Sequence, residues 1–261
     1  MDYLALNKAA WDARTKTHVG SKFYDVAGFL EGKSSLNEIE LSALDVKGKS
    51  LLHLQCHFGL DTLSWAREGA KVTGVDLSSV AIEQAQQLAT KTDIDAEFVC
   101  CDLYSAAATL QRQFDVVFTS YGAICWLPDL DKWAEVIASS LKAGGQFYMV
   151  EFHPVEAMLE GYSYFAQEQA DVEQEGTYTE NASDEKHTMV TWPHSLANVI
   201  SALLKAGLCL QQFSEFDYSP YNCFADMIAG GQLGESDERY YILHQQQRIP
   251  LCFSIAATKP A

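Results

Sequence analysis

Residues 51–78 read LLHLQCHFGLDTLSWAREGAKVTGVDLS, and this stretch decides the fold. Leu51, Leu52 and Leu54 make the short apolar run of a buried strand. Gln55, Cys56, His57, Phe58 and Gly59 form a turn. Residues 61–68 are helical, with Leu60, Leu63, Trp65 and Ala66 available for a buried face, and Gly69 stops the helix. Residues 71–75 form a second strand, ending on Asp76. A strand–turn–helix–strand unit of this length calls for a right-handed crossover and a parallel sheet. The strand ends and the helix N-terminus then frame a crevice that suits a nucleotide-like ligand. An acid at the tip of the second strand accepts hydrogen bonds from both ribose hydroxyls. Asp76 follows Gly59 by seventeen residues, about the distance a dinucleotide-type fingerprint expects.

The alternation of strand and helix continues downstream. Ser78 or Ser79 is placed to cap a helix over residues 81–92. Residues 96–103, AEFVCCDL, give a third strand ending at Asp102, followed by a short helix over 104–112. Phe114, Val116, Val117 and Phe118 form the near-continuous apolar run of a strand covered on both faces. Ser120 and Tyr121 lie at its C-terminal tip, the edge where open α/β sheets bind ligands. In the next helix Trp133, Val136, Ile137 and Leu141 recur at helical spacing, and Gly144 and Gly145 are its expected stop. A fifth strand spans 145–154. Ser195 caps a further amphipathic helix ended by Gly207, and 208–218 is a sixth strand. After a loop over 219–238 rich in Gly, Tyr and Asn, residues 250–260 close the chain as a last strand.

Taken in order, these motifs resemble class I S-adenosylmethionine-dependent methyltransferases of the small-molecule type, over roughly residues 48–152 and more loosely to 258. LLHLQCHFG aligns with the first glycine-rich motif of that family, with departures. His53 stands where the family has an acid, and Gln55 and His57 stand where it has glycines; Gly59 is kept. The Leu-Lys-x-Gly-Gly run at 141–145, just before a strand, is common in the family. The resemblance implies a Rossmann-like α/β fold: a seven-stranded, mostly parallel sheet with helices on both faces and an antiparallel last strand. It implies S-adenosylmethionine as cofactor, met by Leu54, Gln55, Cys56 and Gly59 in the first turn. Asp76, Leu77 and Ser78 would follow from the second strand, Cys101, Asp102 and Leu103 from the third, and Ser120 and Tyr121 from the fourth. Asp76 would take the ribose hydroxyls and Asp102 the adenine amino group. Without an acid at position 53, the carbonyls of Leu54 and Gln55 are left to accept from the methionyl amine.

The resemblance also divides the chain. Residues 1–47 are expected to be an N-terminal helical cover, and 48–261 the core, with a lid-like insertion at about 153–194. Residues 4–18 read as a helix on which Trp11 and Arg14, three apart, are neighbours. An aromatic-Asp-x-Arg segment precedes the core in many small-molecule methyltransferases. It implies that Trp11 and Arg14 meet the cofactor, the guanidinium gripping the methionyl carboxylate in two places; an ordinary surface helix is the competing reading. Between Glu151 and Glu185 there are ten Asp or Glu and no Lys or Arg, interleaved with Tyr162, Tyr164, Phe165 and Tyr178. Most of these carboxylates are expected to face solvent. Trp126, Tyr178, Trp192 and Tyr221 are candidates to line an acceptor pocket. His153 and His194 are the base candidates by position, against a structural role for each.

Composition bounds the function. With 261 residues, 48% of them hydrophobic, the chain supports one large core. No run of about eighteen apolar residues marks a membrane span, and the N-terminus lacks the pattern of a signal peptide. Seven cysteines without paired spacing point to a reduced, cytoplasmic protein and away from a metal site. A net charge of −17 repels phosphate backbones and disfavours a nucleic-acid partner. Oligomeric state is not fixed by the sequence. An NAD-dependent oxidoreductase would share the strand–helix–strand unit and Asp76, but the turn lacks GxGxxG and no Tyr-x-x-x-Lys pair is placed for hydride chemistry. A nucleotide- or S-adenosylmethionine-binding protein with a decayed site is the third reading, supported by the altered first motif. The leading expectation is methyl transfer from S-adenosylmethionine to a small-molecule acceptor.

Overall fold

The computed structural model describes residues 2–236 and 238–261. Three helices lead in: α1 (Tyr3–His18), α2 (Val26–Leu30) and α3 (Glu38–Ala43). Strands and helices then alternate as β1 (Ser50–Leu54), α4 (Leu60–Arg67), β2 (Lys71–Asp76), α5 (Ser79–Thr92), β3 (Ala96–Cys100), α6 (Ala106–Leu110), β4 (Phe114–Thr119), α7 (Leu130–Ser140) and β5 (Leu141–Phe152). Next come α8 (Pro154–Leu159) and the hairpin β6 (Asp171–Glu175) and β7 (His187–Thr191). The chain returns through α9 (Leu196–Lys205) and β8 (Cys209–Phe216). It passes the two-residue strands β9 (Ile228–Ala229), β10 (Tyr240–Tyr241), β11 (Leu243–His244) and β12 (Gln247–Arg248), and ends on β13 (Cys252–Thr258).

The main sheet has seven strands in the order β3-β2-β1-β4-β5-β13-β8. The first five are parallel, and β13 runs antiparallel to both β5 and β8. This is the expected topology, antiparallel last strand included. The apolar runs follow from two-sided burial: successive residues of a strand point to opposite faces. Leu52 and Leu54 pack with Trp133 and Ile137 of α7 and Val199 and Leu203 of α9. Leu51 packs on the other face with Ile39 of α3 and Trp65 of α4.

One boundary differs from expectation. Helix α7 stops at Ser140, and Gly144 and Gly145 lie inside β5. Buried Leu141 turns extended to pair with Phe114, and the ladder resumes only at Val116 and Gln146. The extra residues form a bulge in which Gly144 takes φ +73°, and a Cβ on Gly145 would sit 2.9 Å from the Lys142 carbonyl oxygen. The glycines serve the bulge, while packing of Leu141 ends the helix.

Helix α1 lies against α5 and β7. Asp12 accepts from the Ser78 hydroxyl at 2.6 Å at the start of α5. Buried Asn7 donates to the Val190 carbonyl at 2.8 Å and accepts from the Val190 N–H at 2.9 Å, standing in for a strand partner along β7.

Candidate active site

The β1–α4 turn keeps the backbone of a glycine-rich loop without its glycines. Gln55, His57 and Gly59 all take positive φ, at +55°, +51° and +81°. Side chains at Gln55 and His57 cost roughly 1–2 kcal/mol each in that region, so both need compensation. Gln55 Nε2 donates to the Ala123 carbonyl at 2.8 Å. His57 Nε2 bonds His18 Nδ1 at 2.9 Å, and its ring packs edge-on against Trp11, Tyr24 and Phe58. Gly59 admits no such compromise: a Cβ would lie 2.7 Å from Phe98 Cε1 and 2.9 Å from Ala85 Cβ.

Above this turn opens a cavity of about 1170 Å³, at the C-terminal edge of the parallel strands. The order β2-β1-β4 places it where the chain switches from one side of β1 to the other. Its floor comes from the turn, with Gln55, Cys56 and Gly59, and from the tips of β2 and β3, with Asp76, Leu77, Cys101, Asp102 and Leu103. Ser120 and Tyr121 line it past β4, as do Trp11 and Arg14 from α1. Trp126, Tyr178, Trp192 and Tyr221 reach the same space. Leu54 and Ser78 do not line it. The Leu54 side chain is fully buried in the core. The Ser78 side chain caps α5, accepting from the Ala81 N–H at 3.0 Å.

Asp76 is held firmly. Its carboxylate accepts from the N–H of His57 and of Ser78, each at 2.8 Å, so it ties the first turn to the start of α5. Burial raises its pKa to about 6, against the pull of those two donors. Asp102 is partly buried at the tip of β3; burial raises its carboxyl, and the amides of the following turn pull it back. His53 is buried, with Nδ1 2.9 Å from Thr62 Oγ1 and Nε2 3.1 Å from Ser120 Oγ, and burial lowers its pKa to about 3. It is neutral and carries none of the charge an acid would bring.

Arg14 is 7% exposed. One guanidinium nitrogen donates to the Gly176 carbonyl at 2.7 Å, and Nε is buried with no acceptor among the described residues. The group lies over Trp11 and Trp126, 5.5 and 5.7 Å from the ring centres. Beside it His18 joins His57 to Thr177, 2.5 Å from the Thr177 hydroxyl. Burial and the nearby guanidinium push the His18 pKa down to about 3 and that of His57 well below its usual value. Both rings are therefore neutral spacers. Trp11, Arg14 and His18 recur at helical spacing on α1, a stripe whose third member the sequence reading passed over.

His153 lines the cavity but is occupied. Its Nδ1 accepts from the Val155 N–H at 3.2 Å, capping α8, and its Nε2 faces Glu215 at 3.0 Å. Both ring nitrogens are thus engaged. His194 Nε2 donates to the Leu127 carbonyl at 2.8 Å, and burial lowers its pKa. Tyr178 bonds Tyr24 hydroxyl to hydroxyl at 2.5 Å, and Tyr221 accepts from Asn37 Nδ2 at 2.9 Å. Tyr121 donates to Glu40 at 3.2 Å. Three further carboxylates were given no role at the site by the sequence. Glu151 accepts from four backbone N–H groups, of Gly122, Ala123, Ile124 and Phe152, and fixes the exit of β4. Glu40 is fully buried, and its pKa is pushed to about 7 by burial and by Asp61. Asp61 stands in the first turn of α4 and accepts from Ser35 at 2.6 Å. Among the described residues, no cluster of His, Cys, Asp and Glu has the arrangement of a metal site.

Comparisons with known proteins agree with this geometry. Residues 51–145 match the family model of the methyltransferase domain. Ubiquinone biosynthesis O-methyltransferases of Salmonella newport and Klebsiella pneumoniae are 29% identical over 135 residues, covering 50% of this chain and 55% of theirs. The chain thus spans about half the length of the curated relatives it matches. Among solved structures, a putative S-adenosylmethionine-dependent methyltransferase from Listeria monocytogenes superposes with a TM-score of 0.59 at 20% identity, over 85% of this chain and 97% of that one. A methyltransferase from Clostridium acetobutylicum gives 0.58 at 12% identity, over 98% and 100%. In fold, ordered motifs and matched core, this chain is similar to class I S-adenosylmethionine-dependent methyltransferases.

Proposed function

We propose that the protein transfers a methyl group from S-adenosylmethionine to a small-molecule acceptor. The observation that carries this reading is Asp76: a partly buried carboxylate at the tip of β2, fixed by two backbone donors and facing a cavity at the switch point of the sheet. Each of its oxygens keeps a lone pair for a ribose hydroxyl. Asp102 stands one strand further out, where an adenine amino group would lie. Arg14 suits the methionyl carboxylate, since its charge is buried against the cavity and, among the described residues, only a carbonyl accepts from it. At about 1170 Å³ the cavity exceeds the roughly 300–1,000 Å³ of an ordinary ligand pocket, leaving room for an acceptor beside the cofactor.

Bound S-adenosylmethionine supplies an electrophilic methyl on sulfur. The chain's contribution is alignment and exclusion of water. Helix α1 and hairpin β6–β7 serve as the cover, tied together through Asn7 and Val190 and through Arg14 and Gly176. The connector over residues 19–35 lets it open for exchange. Trp126, Trp192, Tyr178 and Tyr221 give the acceptor side an aromatic wall, which fits a small molecule better than a polymer. The net charge of −17 argues against nucleic acid. Seven free thiols fit a reduced, cytoplasmic setting, and no described helix is long and apolar enough to cross a membrane. Thermal unfolding with S-adenosylmethionine, S-adenosylhomocysteine and NAD tests the reading. Stabilisation by the two adenosyl compounds alone supports it; stabilisation by NAD alone, or by none, refutes it.

A further inference from the structure

The reading above leaves the methionyl amine without the acid that the family keeps at position 53. We propose that Asp61, together with Gln55 Oε1, holds the ammonium group of the methionyl end, the charge having moved from the strand tip to the first turn of α4. The inference rests on the proposed cofactor and adds the residues that recognise its amine.

The position vacated is chemically silent. His53 is neutral, with its nitrogens facing the hydroxyls of Thr62 and Ser120, and offers no charge to a cation. Asp61 lies two residues beyond Gly59 and lines the cavity. Ser35 donates to it at 2.6 Å, and the nearby hydroxyl of Ser120, the residue that also meets His53, pulls its carboxyl down. No basic group acts on it among the described residues. Burial accordingly dominates and raises its pKa, the state of a carboxylate that lacks its cation.

A second observation comes from the other end of the same turn. Gln55 Oε1 is buried and accepts from no donor among the described residues. Its direction is not adjustable, because Nε2 is pinned to the Ala123 carbonyl at 2.8 Å and the backbone is held at φ +55°. A ligand with several N–H groups and a positive charge satisfies both needs at once. Arg14 on α1 complements the carboxylate of the same amino-acid moiety. The zwitterion is then read by a cation on the cover and an anion on the core, which replaces the acid missing from position 53.

The test is calorimetric titration of the full chain and its Asp61→Asn variant with three probes. These are S-adenosylhomocysteine, its analogue lacking the amino group, and 5′-methylthioadenosine, which has neither amine nor carboxylate. The expected result is a tenfold or greater loss of S-adenosylhomocysteine affinity, with the two amine-free probes within about twofold of the unmodified chain. Gln55→Leu should show the same selectivity with a smaller loss, and far-ultraviolet circular dichroism reports whether each variant is folded. Equal losses for all probes would make Asp61 structural and overturn the proposal. So would unchanged affinity for S-adenosylhomocysteine, including the case in which only the acceptor's KM rises. If the unmodified chain binds none of the three, the cofactor reading itself fails, a result distinct from either.

Discussion

Replacing Asp76 by Asn separates what the carboxylate does for folding from what it does for binding. The substitution keeps the shape but leaves one oxygen for two backbone donors. One N–H, of His57 or Ser78, then faces an amide NH₂, at a cost of about 1–3 kcal/mol. Against this stands relief of burial. The native pKa is about 6 rather than the ordinary 3.8, so the ionised carboxylate destabilises the fold. A folded pKa above the unfolded one stabilises most below the unfolded value, and that stabilisation is lost as pH rises through the folded one. For this group the loss between pH 4.5 and pH 8 is about 2 kcal/mol. The amide that replaces the carboxyl does not titrate. The stability of the variant relative to the parent should therefore rise by about 2 kcal/mol from pH 4.5 to pH 8. Urea unfolding of both proteins at the two pH values measures it, and the difference between them cancels every other titrating group. At pH 8 the variant should still lose S-adenosylhomocysteine affinity by at least tenfold, since a charged acceptor contributes roughly 1.5–3 kcal/mol per hydrogen bond. A pH-independent stability difference would show that the carboxyl is not buried as described. Intact binding would show that it does not face the ribose.

Arg14→Ala should weaken S-adenosylhomocysteine at least tenfold and leave adenosine nearly unchanged, because adenosine has no carboxylate; equal losses in titration would make α1 structural. Protease nicking between Gly20 and Ser35 should slow when S-adenosylhomocysteine is added, and a ligand-independent rate counts against the cover. Gly59→Ala combines a left-handed penalty of about 1–2 kcal/mol with overpacking of about 1–3 kcal/mol against Phe98 and Ala85. Its melting temperature should fall by roughly 5 °C or more, and an unchanged value would mean that β3 and α5 yield easily. Glu151→Gln puts donors against donors in a cradle of four N–H groups and should lower the melting temperature by about 5 °C or more; no shift would show that this cradle does not anchor the β4 exit.

The parallel half of the sheet was legible because two-sided burial leaves apolar runs such as Phe114–Phe118 that few other structures need. The place of Asp76 at the tip of β2 by the cavity was legible for a related reason: a strand tip next to a turn has few geometric alternatives. The stop of α7 was not, because the choice between Ser140 and Gly144 is made by Leu141 seating in the core, a tertiary contact that no local signal announces. The first motif was half legible. Its departures at Gln55 and His57 were plain, but their compensation was not: the His57 ring is supported by His18 and Tyr24, thirty-odd residues upstream. Asp61 was read only as part of a helix start. That no cation acts on it among the described residues becomes visible once Ser35, Ser120 and His53 are brought around it.

The central claim is that the cavity over the strand tips binds S-adenosylmethionine through Asp76. Isothermal titration of the purified chain with S-adenosylhomocysteine, beside the same titration of Asp76→Asn and a control with NAD, tests it most directly. The account predicts one-to-one binding of S-adenosylhomocysteine, a tenfold or greater loss in the variant, and no heat with NAD. Saturable binding of NAD, or S-adenosylhomocysteine affinity indifferent to Asp76, would contradict it.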